Sequence, residues 1–123
     1  MQDRDSLVVG VPDLTDSQQP HVHGYVKDMA ELRFAGFQHV YLSAIASSED
    51  LAMFLRKTGA DKCGISGIAD SQGAFTRMLG LDVDPGTGTT RSQRYIGLVQ
   101  DGILTRIVCL PLSMHSAWTV WAR

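Results

Sequence analysis

The sequence predicts a single α/β domain in which a mixed β-sheet lies between layers of helices. Three observations support this fold class. Short apolar runs rich in branched residues alternate along the chain with amphipathic segments. The dipeptide Asp101-Gly102 separates the last two apolar runs and predicts an antiparallel hairpin. The length of 123 residues, with 44% hydrophobic residues, suffices for one core and leaves no room for a second domain.

The first predicted elements are a strand, a long helix and a second strand. Residues 7–11 read Leu-Val-Val-Gly-Val, a continuous apolar run that indicates a strand buried on both faces, and Pro12 ends it. Apolar residues in the segment 20–34 recur at mostly three- and four-residue spacing, which predicts one helix. Gly36 is placed to end that helix, and residues 39–45 then predict a buried strand.

A serine predicts the start of the next helix. Ser47 or Ser48 can cap its N-terminus, because a side-chain oxygen there accepts from a free backbone N–H group. The apolar face of this helix consists of Leu51, Phe54 and Leu55. Residues 63–68 predict a weaker strand, since glycines interrupt the run.

The last part of the chain predicts a short helix, a loop and the hairpin. Asp70 is a good N-cap, Gly80 is placed at the helix end, and residues 82–92 are rich in Pro and Gly and predict a mobile loop. The inward face of the short helix is expected to hold Phe75, Met78 and Leu79. Residues 95–99 and 103–110 form the two strands of the hairpin. With right-handed crossovers this order gives a mixed sheet with helices on both faces, the layout of thioredoxin-like folds.

Charge and composition exclude several classes of protein. A net charge of −2 gives no basic surface for nucleic acid or an anionic membrane. The longest uncharged stretch, residues 107–122, is too short to span a bilayer, and the start Met-Gln-Asp-Arg-Asp is not a signal peptide. Two cysteines are too few for a disulfide scaffold. We therefore expect a soluble protein of a reducing compartment, either the cytoplasm or an organelle such as the mitochondrion or plastid.

Several fragments occur in the order and at nearly the spacing of a known family. They are Gly-Val-Pro at 10–12, His-Val-His-Gly-Tyr-Val at 21–26, Ala-Asp-Ser-Gln-Gly-Ala-Phe-Thr at 69–76, Leu-Gly-Leu-Asp at 79–82, Arg-Ser-Gln-Arg-Tyr at 91–95 and Leu-Val-Gln-Asp-Gly at 98–102. From Val8 to about Pro111 the chain thus resembles the type-5 branch of the peroxiredoxins, the redoxin-type thiol peroxidases.

The resemblance implies a three-layer thioredoxin-like (redoxin) fold with a mixed five-stranded sheet and flanking helices. Residues 1–111 would form the redoxin domain, and residues 112–123 a C-terminal tail. The family usually begins with an extra β-hairpin, whereas this chain begins almost at the first core strand. We therefore expect either a fold that is naturally shortened at its N-terminus or a sequence that represents only part of its gene.

The family's chemistry uses a thiolate that attacks the peroxide, a threonine and an arginine that fix the peroxide, and a proline that shields the pocket. By resemblance, the proline matches Pro12, the threonine matches Thr15 and the arginine matches Arg94. The position of the family's cysteine is Gln18 when counted forward from the threonine, or Ser17 when counted back from the following histidine. The resemblance therefore implies a vestigial pocket that lacks its nucleophile.

The functional prediction depends on the absence of a cysteine at this position. Neither an amide nor a hydroxyl can form a sulfenic acid, so the loss of the thiol removes the reaction. We expect a non-catalytic protein without a cofactor, acting as a structural or accessory subunit of a larger assembly. One alternative is a thiol-dependent peroxidase that uses Cys63 or Cys109, two residues expected at opposite sides of the sheet, about 15–20 Å apart. Another is a small-anion site at Thr15 and Arg94.

Two further pairs of residues are candidate sites. His21 and His23 open a helix, where residues two apart do not share a face, so no metal site is predicted. Trp118 and Trp121 would share one face of any helix in the tail, and would either dock on the domain itself or anchor a partner. The absent hairpin would leave apolar surface uncovered, which favours a partner: other subunits of a complex, or a second copy.

Overall fold

The computed structural model describes residues 5–15, 19–83 and 91–109. Within these ranges the chain forms helices and strands in an alternating order. The strands are β1 (Asp5–Gly10), β2 (Phe37–Ala44), β3 (Ile65–Ala69), β4 (Asp82–Val83), β5 (Arg91–Ser92), β6 (Tyr95–Gln100) and β7 (Ile103–Cys109). The helices are α1 (Gln19–Lys27), α2 (Met29–Phe34), α3 (Ser48–Thr58) and α4 (Ala74–Met78), with a 3₁₀ turn at Asp61–Cys63.

Five strands form one mixed sheet in the order β3-β2-β1-β6-β7. The strands β1, β2 and β3 are parallel to each other, while β6 runs antiparallel to both β1 and β7. The strands β4 and β5 form a separate antiparallel pair. The mixed five-stranded sheet predicted from the sequence is confirmed.

The two faces of the sheet carry different cores. The larger core joins one face of the sheet to α1, α2 and α3, and includes Leu7, Val9, Val22, Tyr25, Leu32, Leu42, Leu51, Phe54 and Ile96. The smaller core on the other face centres on Val8, Leu81 and Tyr95, with Leu79 packed beside them after α4. Helices therefore cover both faces, as a three-layer fold requires.

The predicted helix over residues 20–34 is in fact two helices. The backbone of Asp28 departs from helical geometry, with φ −94° and ψ 8°, and this residue precedes α2. Aspartate tends to compete with helical hydrogen bonding, which explains a break at this position. The apolar spacing still holds across the break, because Tyr25 of α1 and Leu32 of α2 are both buried in the same core.

Helix α3 begins as the sequence predicts. The Ser47 hydroxyl accepts a hydrogen bond from the backbone N–H of Asp50 at 3.1 Å, and Gly59 follows the helix with φ 79°. The hairpin is also confirmed, since Asp101 and Gly102 have φ values of 54° and 80°, as a two-residue turn between twisted strands requires. Both ends of the predicted loop 82–92 pair with each other as β4 and β5, and residues 84–90 lie outside the described residues.

Asp70 fixes the start of α4, although the predicted N-cap position is wrong: the N-cap residue is Gly73, three residues further on. Its carboxylate accepts hydrogen bonds from the Phe75 N–H at 3.1 Å, from the Thr76 N–H at 2.8 Å and from the Thr76 hydroxyl at 2.8 Å. Burial by itself raises the pKa of Asp70, but these hydrogen bonds and the charge of Arg77 lower the pKa below its ordinary value. The predicted inward position of Met78 is wrong: Met78 is 76% exposed, because Thr76 takes the buried position of this short helix.

Candidate functional site

The loop that follows β1 carries two of the predicted site residues. The Val11 N–H donates to the Ser43 carbonyl at 3.1 Å, so the loop leaves the sheet at the carboxyl end of β1. Pro12 and Thr15 lie in this loop on either side of Asp13. The Asp13 carboxylate accepts hydrogen bonds from the Thr15 N–H at 3.0 Å and from the Thr15 hydroxyl. Two hydrogen bonds to the Asp13 carboxylate therefore hold the loop in a tight turn.

Two arginines approach the same carboxylate from the segment that enters β6. The Arg91 Nη1 atom lies 3.7 Å from the second oxygen of Asp13. Arg94 is only 5% exposed. Burial lowers the pKa of Arg94, whereas Tyr25 and the Asp13 charge raise it. The negative charge of Asp13 thus interacts with two arginines, and its carboxylate accepts hydrogen bonds from both the N–H and the hydroxyl of Thr15.

Tyr95 and Gly10 fix the position of this arginine segment. Tyr95 is fully buried and pairs with Gly10 of β1, and a Cβ atom at Gly10 would overlap the tyrosine ring. The Gln93 N–H also donates to the Leu81 carbonyl at 2.8 Å. Burial raises the pKa of Tyr95 above its ordinary value, so the residue stays neutral. Its buried ring packs against β1 and thereby holds the neighbouring Arg94 in position.

A cleft of about 530 Å³ opens beside the loop. One wall is the loop itself, from Pro12 to Thr15, and the opposite wall is the connection from β2 into α3. The apolar lining comprises Leu14, Ile45, Ala46, Met53 and Phe54. The charged lining comprises Asp13, Asp50, Lys57 and Arg91. The cleft lies at the carboxyl ends of parallel strands, where α/β sheets commonly bind ligands.

The structure brings together part of the site predicted from the sequence. Pro12 and Thr15 both line the cleft, and Arg94 does not line it but interacts electrostatically with Asp13. Ser17 and Gln18 lie outside the described residues, as do Trp118 and Trp121.

Sequence reasoning missed Asp13 and Arg91. The signal for Asp13 is the pattern Asp-x-Thr directly after a strand, because an aspartate side chain often accepts from the backbone N–H two residues on. Arg91 belongs to the fragment at residues 91–95, and nothing in its local sequence indicates an ion pair. It reaches Asp13 because β5 pairs with β4, and that two-residue ladder is too short to predict from alternation.

The two cysteines lie at opposite edges of the sheet. Cys63 ends the 3₁₀ turn before the edge strand β3, is half-buried and packs against the larger core. Cys109 is exposed and ends the other edge strand, β7. Both thiols are free. Their predicted placement at opposite sides of the sheet is confirmed.

Cys109 is nevertheless at the same end of the sheet as the arginine segment, because it pairs with Tyr95. Side chains alternate between the two faces of a strand, and directly paired residues share a face. Cys109 therefore shares the face of Tyr95, while Arg94 interacts with Tyr25 of the larger core on the other face. In the part of the chain that the structure describes, neither cysteine lines the cleft.

Comparisons with known proteins agree with this architecture. No family model matches the chain. Peroxisomal membrane associated protein 20 of Schizosaccharomyces pombe is 26% identical over 110 residues, which is 82% of this chain and 67% of that protein. The structure of reduced Prx3 from Vibrio vulnificus matches with a TM-score of 0.83 at 22% sequence identity. The match covers 97% of this chain and 79% of the Prx3 chain. Peroxiredoxin 5 from Alvinella pompejana has a TM-score of 0.79 at 22% identity, over 90% of this chain and 73% of its own.

The chain therefore has the thioredoxin-like fold of the peroxiredoxins, which confirms the predicted fold class. A shared fold does not by itself establish an activity, which must be argued from the residues of the site. None of the helices in the described ranges is long and apolar enough to cross a membrane.

Proposed function

We propose that this chain is a peroxiredoxin-like protein that does not reduce peroxides and that serves as an accessory subunit of a protein assembly. The observation that carries the proposal is the Asp13 carboxylate, which accepts both donors of Thr15 and pairs with Arg91. By resemblance, a peroxidase of this fold would present the donors of the threonine, together with the arginine that matches Arg94, to a thiolate and its peroxide. In this chain the donors of Thr15 and the Arg91 guanidinium face the Asp13 carboxylate, which carries no sulfur for peroxide to oxidise.

The chemistry of peroxide reduction requires a sulfur atom at the pocket. A thiolate attacks one peroxide oxygen, the O–O bond breaks, and the sulfur becomes a sulfenic acid while water or an alcohol leaves. The resemblance places glutamine or serine, Gln18 or Ser17, where the thiolate would be. The pairing of Cys109 with Tyr95 and the packing of Cys63 at the opposite edge both argue against either cysteine as a substitute.

Exposed apolar side chains support a role in assembly. Among the described residues, four large apolar side chains are mostly exposed: Phe34 at 94%, Met78 at 76%, Ile103 at 65% and Met53 at 60%. Met53 also lines the cleft beside Asp13. We propose Trp118 and Trp121 of the tail as additional contacts with a partner, because buried tryptophans often dominate interface energies.

A peroxide-consumption assay with a thiol reductant tests the loss of activity. We expect the purified chain to consume hydrogen peroxide no faster than an equal concentration of a simple thiol. The variants Cys63→Ser and Cys109→Ser are the matched pair, since each removes one of the two sulfur-bearing candidates. Catalytic turnover that one of these substitutions abolishes would establish the alternative, a peroxidase with a non-standard cysteine.

The native size of the protein in an extract of its source cells tests the role in assembly. We expect migration with a larger complex, and we expect the double variant Trp118→Ala/Trp121→Ala to shift towards the monomer. Migration of the unaltered chain as a free monomer would contradict the proposal. The variant Glu31→Ala is a suitable control, since it removes an exposed polar side chain that lies outside the tail and outside the exposed apolar set.

A further inference from the structure

The sheet face that carries the smaller core is only partly covered. Among the described residues, the short helix α4 and the segment after it pack on this face, whereas α1, α2 and α3 pack on the opposite face. The apolar side chains of the smaller face are consequently half-buried rather than buried: Tyr41, Ile68, Phe75, Leu79, Val99 and Leu104.

A groove of about 380 Å³ lies on this face, between the sheet and α4. Phe75 lines one side, and Val8 of β1 and Tyr95 of β6 line the base. Leu104 of the edge strand reaches the groove because Gly97 has no side chain: a Cβ atom there would lie 3.0 Å from the Leu104 Cδ1 atom. The lining residues are uncharged, and the volume is that of cavities that bind small apolar groups, about 300–1,000 Å³.

The C-terminal tail begins beside this groove. Cys109 ends β7, pairs with Tyr95 and shares its face of the sheet. The far end of the groove at Val99 is four residues along β6, a distance of about 14 Å. Residues 110–117 precede Trp118 and can span up to about 26 Å. Trp118 can therefore reach every part of the groove.

The tail also has the composition that the groove requires. The other segments outside the described ranges are polar: residues 1–4, 16–18 and 84–90 contain Asp, Gln, Ser, Thr and Gly but no aromatic residue. The tail has no Asp, Glu, Lys or Arg before Arg123 and carries both tryptophans of the chain. Because the groove is lined by the aromatic rings of Tyr41, Phe75 and Tyr95, an indole ring suits it.

We propose that the tail, residues 112–123, folds back in the free chain and places Trp118 or Trp121 in this groove. A segment joined by a short linker binds at an effective concentration of about millimolar, which favours its own domain over a second copy. This inference goes beyond the proposed function and holds whether or not the chain reduces peroxide. It adds one step to assembly: a partner that binds the tryptophans first displaces them from the groove.

Quenching of tryptophan fluorescence by acrylamide tests the proposal on the purified full chain. Since both tryptophans belong to the tail, their fluorescence reports on the tail alone. We expect a quenching constant at least about threefold lower in the folded chain than in urea, as for a tail that is docked most of the time.

A matched pair of variants assigns the protection to the groove. Leu104→Glu places a charge in the groove, and we expect its quenching constant to rise towards the value in urea. Phe34→Glu introduces the same charge at a side chain that is 94% exposed and outside the groove, and should leave the quenching constant unchanged. Cooperative urea unfolding verifies that both variants are folded.

The neutral dye Nile red reports on the groove when the tail is altered and the domain is not. The double variant Trp118→Ala/Trp121→Ala should raise its fluorescence about twofold or more over the unaltered chain, because the groove is then uncovered. The addition of Leu104→Glu to this variant should remove the increase, whereas the addition of Phe34→Glu should not.

Three results would overturn the proposal. Equal quenching in the folded and unfolded chain would show that the tail is undocked. Protection that Leu104→Glu leaves intact would show that the tail docks elsewhere. Protection that appears only as the protein concentration rises would assign the groove to the tail of a second copy.

Discussion

Two aspartates of this molecule accept hydrogen bonds from a threonine in the same way but in different surroundings. Asp70 accepts from the N–H and the hydroxyl of Thr76, and Asp13 accepts from the N–H and the hydroxyl of Thr15. Asp70 is 8% exposed, and Thr76 is fully buried. Asp13 has a side chain that is 26% exposed and lies at the mouth of a cleft.

The difference separates a structural contact from a contact at a site. Asp70 bridges six residues of chain and holds the start of α4 against the sheet, so the fold depends on it. Asp13 joins residues only two positions apart, so little of the fold depends on its hydrogen bonds. Its negative charge instead interacts with the positive charges of Arg91 and Arg94. The same pair of residue types therefore stabilises the domain in one place and lines a cleft in the other.

The largest effect should follow the loss of the buried carboxylate. The variant Asp70→Ala leaves the donors of Thr76 and Phe75 without their acceptor, and we expect a loss of about 2–3 kcal/mol in the free energy of unfolding. The midpoint and slope of urea unfolding measure this loss of free energy. Asp61→Ala is the matched control, because Asp61 accepts one exposed backbone hydrogen bond, at 2.9 Å, and its loss should cost less than about 1 kcal/mol.

Acid should reproduce part of this loss in the unaltered chain. The pKa of Asp70 in the folded protein lies below its ordinary value of 3.8, so the contribution of Asp70 is complete above pH 3.8 and disappears as the pH falls through the folded pKa. Urea unfolding between pH 6 and pH 2.5 should show this decline. The variant Asp70→Asn should lose less stability over the same range, and an identical decline in both proteins would contradict the assignment.

The two threonines sharpen the comparison. Thr76→Val removes a buried hydroxyl that donates to Asp70, and we expect it to cost about 1–2 kcal/mol. Thr15→Val removes the equivalent hydroxyl at the exposed Asp13, and we expect less than about 0.5 kcal/mol. Denaturant unfolding of both variants gives the comparison. Similar costs at both positions would mean that Thr15 supports the fold as Thr76 does.

The smallest effect on stability should come from Asp13 itself. Because its ion pair with Arg91 is partly exposed, Asp13→Asn should change the free energy of unfolding by about 0.3 kcal/mol or less. The same substitution keeps an oxygen that can accept from Thr15 and removes only the charge. A loss as large as that of Asp70→Ala would show that Asp13 is a structural residue and would weaken its assignment to a pocket.

The sequence predicted the elements whose signals are local and missed the contacts that depend on pairing between distant segments. Ser47 and Asp101-Gly102 carry their own signals, a cap and a turn, and both were confirmed. The site was predicted by resemblance at Pro12, Thr15 and Arg94. The approach of Arg91 to Asp13 could not be predicted, because it depends on the short β4–β5 ladder that brings the two segments together.

The rate at which hydrogen peroxide oxidises the two thiols tests the central claim most directly. Reactivity of a thiol depends on how its surroundings stabilise the thiolate, so an active pocket accelerates oxidation only while the protein is folded. We predict that Cys63 and Cys109 are oxidised in the folded protein no faster than about tenfold the rate in urea-unfolded protein, as measured by mass spectrometry. Oxidation of either thiol several hundredfold faster in the folded protein would contradict the account.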